Sequence, residues 1–256
     1  MSLVYDTAMK YRSIFVSDVH LGIKFSQADA LLDFMRTHES ENLYLVGDII
    51  DGWAIKRKFR WKQSHSDVIQ KVLRKARKGT NVYLVTGNHD EFLRPFLPLM
   101  LGDNLKVVYE ADYYSKKGKK YYVTHGDLFD SITMTKKWLA VLGDYGYDLL
   151  LHLNHILHFF RYKLGINRYW SLSKYVKDNV KKSVNFITDF ESVLADHARH
   201  LKYDGIICGH IHKAEMRNID GIEYKNSGDW VESCTALVET LDGEWKIIHW
   251  HEDETN

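Results

Sequence analysis

The sequence predicts a mixed α/β fold in which two β-sheets pack against each other and helices flank them. In the first third of the chain, short apolar runs typical of strands alternate with helical segments. Later segments are mostly strand-like, and this order favours a mixed sheet with a second sheet against it. The intervening stretch lacks strand alternation, so we predict a helical insertion at about residues 131–200 that folds over or beside the core.

Local patterns predict the elements in order. The apolar run Ser13–Ser17 predicts a strand, and Gln27–His38 predicts the first helix. The next patterns predict a strand at Leu43–Val46, a basic helix at Ser66–Lys78, a strand at Asn81–Thr86 and a late strand at Gly205–Cys208. Dipeptides that favour tight turns predict three hairpins, at Lys117-Gly118, Asp220-Gly221 and Asp242-Gly243.

Composition indicates a soluble chain that is long enough for one large domain. With 256 residues, 45% of them apolar, we expect one domain over residues 1–256 that carries the insertion. A chain of this size does not need a disulfide between Cys208 and Cys234 for stability. The N-terminal residues lack the basic start and apolar run of a signal peptide, so we expect a cytoplasmic protein.

The net charge of +1 conceals a strongly basic stretch. Residues 54–78 contain ten Lys or Arg and one acid, Asp67. A solvated helix face would explain such a run, and basic residues interleaved with an aromatic also suit single-stranded nucleic acid. Because the stretch follows an Asp48 motif directly, we expect Arg57 and Lys58 to attract substrate or an anionic membrane. Lys181, on the last helix of the insertion, is a second candidate for substrate contact.

Five polar motifs each stand where an apolar strand ends: Asp18-Val19-His20, Gly47-Asp48-Ile49-Ile50-Asp51, Gly87-Asn88-His89-Asp90, His125-Gly126-Asp127 and Gly209-His210-Ile211-His212. Ligand sites of α/β proteins collect at the carboxyl ends of strands. In an extended chain, residues two apart point the same way, so each Asp-x-His or His-x-His pair is expected to converge. Any one motif is commonplace, but five in one chain indicate a site.

The donor set predicts two metal ions. Four His, two Asp and one Asn supply imidazole nitrogen and hard oxygen without thiolate, namely Asp18, His20, Asp48, Asn88, His125, His210 and His212. This set suits Mn²⁺ best, with Fe or Zn²⁺ as alternatives. Seven ligands exceed the need of one ion, and two divalent ions about 3.5–4 Å apart can clamp a phosphoryl group and activate water. Phosphoryl transfer requires mainly such positioning and charge neutralisation.

The series DVH, GDIID, GNHD, HGD and GHIH resembles that of the calcineurin-like metallophosphoesterases over nearly the whole chain. The resemblance implies a four-layer α/β/β/α sandwich. It also implies that Asp48 bridges the metals, that one metal is held by Asp18, His20 and His212, and that the other is held by Asn88, His125 and His210. By the same resemblance, His89 contacts the phosphate and protonates the leaving oxygen, while Asp90 orients His89.

A narrower resemblance is to the bacterial UDP-2,3-diacylglucosamine diphosphatases. They are similar in the place of the helical insertion and in the acid and Trp that follow Gly-Asp, here Asp51 and Trp53. That family has Arg where this chain has His89, and its acidic cluster is partly matched by Asp127 and Asp130. The resemblance implies manganese-dependent hydrolysis of a lipid-linked pyrophosphate, with Asp127 among the substrate contacts.

Other functions stay open. The basic stretches also suit a phosphodiesterase or nuclease acting on nucleotides or single-stranded nucleic acid, although we expect nucleic acid less than a phosphorylated small molecule or lipid. A non-catalytic scaffold of the same fold would show degenerate ligands, and none of the seven is missing. For the lipid substrate we expect peripheral contact with the inner face of a membrane.

Overall fold

The computed structural model describes residues 9–130, 187 and 190–250. By compactness the chain divides into two units, residues 1–127 with 194–256, and residues 128–193. Both sheets belong to the first unit. Most of the predicted helical insertion, including Lys181, lies outside the described residues, so the insertion stays a prediction.

The described strands are β1 (Met9–Val16), β2 (His38–Val46), β3 (Asn81–Val85), β4 (Leu99–Met100), β5 (Leu105–Val108), β6 (Ala111–Tyr114), β7 (Lys120–Val123), β8 (Gly205–Cys208), β9 (Glu215–Ile219), β10 (Ile222–Asn226), β11 (Thr235–Thr240) and β12 (Trp245–His249). The described α-helices are α1 (Ala28–Thr37), α2 (Gly52–Arg57), α3 (Gln63–Arg77) and α4 (residues 190–200). Two 3₁₀-helices cover Glu91–Phe96 and Asp127–Phe129. No helix in these ranges is long and apolar enough to span a lipid bilayer.

The strands form two sheets, of which one has seven strands in the order β12-β11-β1-β2-β3-β5-β4 and the other five in the order β6-β7-β8-β10-β9. Side chains alternate across the central strands, as the period of two requires. Ile14 and Val16 of β1 pack in the cluster that contains Leu31 of α1 and Val72 of α3. Phe15, between them, packs in a second cluster with residues of the five-stranded sheet.

These clusters define the layers of the sandwich. The second one joins Phe15, Val46 and Val85 of the seven-stranded sheet to Tyr121 and Ile207 of the five-stranded sheet, so the two sheets pack face to face. On the opposite face of β7, the ring of Tyr122 lies 5.4 Å from that of His197 in α4. Helices therefore cover both outer faces, and the predicted α/β/β/α fold is confirmed.

The turn dipeptides form hairpins as predicted. Asp220 and Gly221 both have positive φ, 49° and 90°, and connect β9 to β10 with Ile219 opposite Ile222. Five short elements were not predicted, namely α2, β4, β5 and the two 3₁₀-helices. Each is at most six residues long, too short to show a clear period.

Parallel pairing places the polar motifs at the carboxyl ends of neighbouring strands. β1, β2 and β3 run parallel, so the segments that begin at Ser17, Gly47 and Thr86 emerge from the same end of the seven-stranded sheet. β7 and β8 are parallel in the five-stranded sheet, and the segments after Val123 and Cys208 emerge together as well. The topology thus carries all five motifs to strand ends where ligands bind in α/β folds.

Candidate metal centre

The candidate ligands lie in tight turns beyond the strands. Asp18, His20, Asp48, His210 and His212 all have positive φ, between 50° and 72°. The chain is therefore not extended at these pairs, contrary to the expectation, and Asp and His tolerate this left-handed conformation better than most residues. Asp18 and His20 still share a donor cluster, whereas His210 and His212 lie in different clusters, so the expected convergence of the second pair was wrong.

Six of the seven predicted ligands fall into two clusters. Asp18, His20 and His212 form one, and the other consists of Asp48, His125 and His210. Within each cluster, one side-chain donor atom from every residue lies within 4.8 Å of the others. The first cluster has the members of one ligand group that the resemblance implied, and the second joins two members of the other group, His125 and His210, to Asp48, the implied bridge.

Distances between donor atoms are those of groups that face a shared centre. Nε2 of His212 lies 3.2 Å from Oδ1 of Asp18, and Nε2 of His125 lies 3.3 Å from Oδ2 of Asp48. Nε2 of His20 lies 3.8 Å from that Asp48 oxygen, too far for a hydrogen bond. The side chains of Asp18, His20 and Asp48 are nearly inaccessible to solvent.

Several of these donor atoms are buried without a hydrogen-bond partner among the described residues, namely Oδ1 of Asp18, Nε2 of His20 and Oδ1 of Asn88. Leaving such an atom unpaired costs about 1–3 kcal/mol, and more where it is charged. Divalent cations would satisfy all three, since imidazole nitrogen and carboxylate or amide oxygen are ligands of Mn²⁺, Fe and Zn²⁺. The residues present therefore fit a metal centre.

Electrostatics around Asp48 keep it ionised. Burial by itself would raise the pKa of Asp48, but the imidazoles of His125, His89 and His20 hold it below its usual range. Burial likewise opposes the charged form of His125, and Asp48 raises the pKa of His125 to about 10. A Cβ atom at Gly87 would lie 2.2 Å from Oδ1 of Asp48, so only glycine allows this close approach.

The carboxylate that lies beside His89 is that of Asp51, and the carboxylate of Asp90 makes its hydrogen bonds elsewhere. Nδ1 of His89 lies 3.0 Å from Oδ2 of Asp51, and Nδ1 of His20 hydrogen bonds to the same oxygen at 3.1 Å. The carboxylate of Asp90 instead accepts hydrogen bonds from the backbone N–H groups of Ile49 and Ile50, at 3.1 and 2.9 Å. The predicted role of Asp90 was therefore wrong. Asp90 is buried and holds the loop that carries Asp48, and burial raises its pKa to about 6.

Sequence reasoning singled out Asp51 without giving it a role. Its other oxygen accepts a 2.6 Å hydrogen bond from the N–H of Ala54 and so caps α2. The next aromatic, Trp53, packs with its ring centroid 4.4 Å from that of His89 and donates from Nε1 to Glu91. The sequence signal for the role of Asp51 is that an acidic residue stands three positions after Asp48, at the start of a helix.

The predicted substrate contacts differ in where they lie. Arg57 and Lys58 are exposed at the end of α2, whose first turn begins beside Asp51. Asp127 is mostly buried, and its Oδ2 accepts a 2.7 Å hydrogen bond from Nη2 of Arg94. Substrate contact by Arg57, Lys58 and Asp127 stays a prediction, and Lys181 lies outside the described part of the chain.

A model of the family described as calcineurin-like phosphoesterase matches residues 11–214. The chain belongs to this family. It is accordingly a metal-dependent phosphoesterase, as the motifs predicted, and the match covers every candidate ligand from Asp18 to His212.

Two curated relatives carry the name UDP-2,3-diacylglucosamine hydrolase. One, from Shewanella pealeana, is 24% identical over 240 residues, which are 91% of this chain and 95% of the relative. The other, from Porphyromonas gingivalis, is 27% identical over 128 residues, and the match spans about half of each chain, 46% and 47%. Among solved structures, a phosphoesterase from E. coli is 15% identical, with 93% of this chain and 98% of that chain covered and a TM-score of 0.43.

Proposed function

We propose that the protein hydrolyses the pyrophosphate of a UDP-sugar lipid of the UDP-2,3-diacylglucosamine type, using two divalent ions, Mn²⁺ foremost. The observation that carries the chemistry is the pair of donor clusters, one of which contains Asp48, together with the unpartnered buried atoms of Asp18, His20 and Asn88. Bound ions would neutralise phosphoryl charge and lower the pKa of the attacking water. The substrate class rests on the likeness to the two curated hydrolases.

His89 is our candidate for protonating the leaving group. Burial by itself would lower the pKa of His89, but Asp51 and Asp48 raise it above its usual value, which favours the protonated ring. Because Nδ1 lies 3.0 Å from Oδ2 of Asp51, Nε2 is the atom that would carry a proton to the leaving oxygen. Its distance of 3.9 Å from Oδ2 of Asp48 puts that proton at the edge of the metal cluster.

Arg57 and Lys58 extend the positive field outward from the centre. α2 has six residues, so these cations lie roughly 9 Å along the helix from Asp51. They are exposed, as are the aromatic rings of Trp53 and Phe59 near them in the chain. A basic surface with exposed rings suits the charged head of a lipid-linked substrate and the anionic surface of the membrane that contains it. Peripheral membrane contact is part of this proposal.

The test uses purified protein stripped of metal and assayed with and without added Mn²⁺. Two substrates are compared, bis(p-nitrophenyl) phosphate and UDP-2,3-diacylglucosamine in detergent micelles. Manganese-dependent turnover of both supports the full proposal. Turnover of the generic diester alone would leave the phosphoesterase chemistry intact and refute the lipid substrate. Sedimentation with vesicles containing anionic lipid tests the membrane contact, with an Arg57→Gln/Lys58→Gln variant as the control.

A second candidate function is phosphodiester cleavage in nucleotides or single-stranded nucleic acid. The observation that favours it is the interleaving of exposed Phe59 with the exposed cations Lys58 and Arg60, since bases stack on such rings while cations follow the backbone. Release of short fragments from single-stranded DNA, without hydrolysis of the UDP-lipid, would favour this candidate over the first.

A further inference from the structure

Arg94 joins two loops that leave different sheets. It lies in the 3₁₀-helix Glu91–Phe96, and its Nη2 donates to Oδ2 of Asp127 at 2.7 Å and to the carbonyl oxygen of Thr86 at 3.3 Å. Thr86 directly follows β3 of the seven-stranded sheet and precedes Asn88 by two residues. Asp127 belongs to the segment after β7 of the five-stranded sheet and follows His125 by two residues.

The guanidinium is held in one place. Only 23% of the Arg94 side chain and 11% of the Asp127 side chain are exposed, so solvent screens the ion pair weakly. The guanidinium carbon lies 4.9 Å from the ring centre of Tyr109, which limits rotation of the plane. Nε is buried without a hydrogen-bond partner among the described residues. The guanidinium therefore satisfies the carbonyl oxygen of Thr86 and the carboxylate of Asp127, while one of its own donors, Nε, stays unpaired among the described residues.

Asn88 depends on its loop for its orientation. Its Oδ1 is buried and accepts no hydrogen bond from the described residues, so its position depends on the backbone that carries it. Neighbouring residues tie that backbone to the Asp48 loop of the same sheet. The N–H of His89 donates to Oδ1 of Asp48 at 2.8 Å, and Asp90 accepts from the Ile49 and Ile50 N–H groups.

His125 is anchored elsewhere. Its Nδ1 lies 3.0 Å from the carbonyl oxygen of Val46, and its Nε2 faces Asp48 and His210, both at 3.3 Å. The bond from Arg94 to Asp127 thus connects the segment that carries Asn88 to the segment that carries His125.

We propose that Arg94 is a positioning residue for one of the two ion positions. It fixes the oxygen of Asn88 against the imidazoles of His125 and His210, and so determines how tightly that position binds its ion. The inference rests on the proposed function, in which Asn88 is a ligand. The hydrogen bonds of Arg94 do not reach the cluster of Asp18, His20 and His212, so that position is independent of it.

The experiment compares Mn²⁺ binding by metal-stripped wild type, Arg94→Met, Arg94→Lys and Arg36→Met. Arg36 is a matched control, because it pairs with Asp33 at 2.6 Å on the exposed face of α1, away from the strand ends that carry the motifs. Calorimetric titration gives the number and affinity of ions. Electron paramagnetic resonance shows whether a second Mn²⁺ couples to the first, and Tm reports folding.

Wild type and Arg36→Met are expected to bind two ions and to show the coupled spectrum. Arg94→Met should bind the first ion with unchanged affinity and the second about 10–100-fold more weakly, the usual loss when a group that orients a ligand is removed. Both hydrogen bonds come from one atom, Nη2. Arg94→Lys keeps the charge, but its side chain is shorter and lacks the planar group that packs on Tyr109, so it should remain impaired at the second ion alone. Asp127→Asn, which keeps the shape of Asp127, should show the same defect in weaker form.

Three results would overturn the inference. Two ions bound by Arg94→Met with wild-type affinity would show that Arg94 does not position Asn88. Loss of both ions together with a large fall in Tm, in Arg94→Met and in Asp127→Asn, would make the pair a folding element. Full recovery in Arg94→Lys would reduce its role to charge. Wild type that binds fewer than two ions would instead refute the two-ion proposal on which the inference rests.

Discussion

Replacing Asp51 with Asn tests whether one carboxylate prepares both the metal cluster and His89. Oδ2 of Asp51 accepts from Nδ1 of His20 at 3.1 Å and lies 3.0 Å from Nδ1 of His89, while Oδ1 caps α2. Asn has the same size and retains one oxygen for the cap. It removes the negative charge that both imidazoles face, so Nε2 of His20 becomes a weaker metal ligand and His89 loses the partner that favours its protonated form.

The loss of metal affinity and the loss of kcat can be estimated separately. Removal of a carboxylate that orients a metal-binding imidazole costs about 10–100-fold in metal affinity, or about 1.4–2.7 kcal/mol. At saturating Mn²⁺ we expect kcat to fall at least about tenfold, since His89 is no longer held protonated. Asp51→Asn should leave Tm near that of wild type. Asp51→Ala also removes the cap, at a further cost of about 1 kcal/mol, which lowers Tm by about 2–4 °C.

The assay combines calorimetric Mn²⁺ titration, kcat on bis(p-nitrophenyl) phosphate at saturating Mn²⁺, and thermal unfolding of the metal-stripped protein. Asp33→Asn serves as the control, because Asp33 pairs with Arg36 on an exposed helix face. If Asp51→Asn matched wild type within about twofold in both affinity and kcat, well below the loss expected on removing such a carboxylate, the contacts of Asp51 would have no role in the chemistry.

Three further predictions follow from the structure. His89→Ala should lose about 10²–10⁴-fold in kcat while binding two ions, and undiminished turnover would remove His89 from the mechanism. Asp48→Ala should lose metal, and retention of both ions by equilibrium dialysis would contradict its bridging role. Burial opposes ionisation of Glu223, but Lys119, Lys225 and Tyr121 lower the pKa of Glu223 to about 2. Glu223→Gln should therefore lower Tm at pH 7, and this difference should vanish as the pH falls from about 4.5 to about 2; a constant difference would refute it.

Much of the fold could be predicted because its elements have clear periods. The apolar run that became β1 and the 3.6-residue pattern that became α1 are long enough to show which face is buried. Such patterns do not predict which strands pair with each other. β11 pairs with β1 although more than two hundred residues separate them, and only packing of the complete chain selects that neighbour.

The candidate ligands could be predicted, whereas the residues that support them could not be assigned correctly. Asp18, Asp48 and the histidines stand beside strand ends that a one-dimensional pattern reveals. The choice between Asp51 and Asp90 as partner of His89 depends on the direction of two loops. Asp90 is adjacent to His89 in sequence, but its carboxylate turns to the backbone of Ile49 and Ile50, where it satisfies buried N–H groups. Adjacency in sequence says little about such contacts.

Backbone conformation adds an argument for function that the motifs alone lack. Asp18, His20, Asp48, His210 and His212 hold φ values between 50° and 72°, where a side chain costs about 1–2 kcal/mol relative to a relaxed backbone and glycine costs far less. Folding alone would favour glycine at all five positions. These five strained residues are also five of the seven candidate ligands, so their side chains are retained at the expense of stability. At Asp18 and His20 the strain coincides with unpartnered donor atoms, as expected of a site built to bind cations.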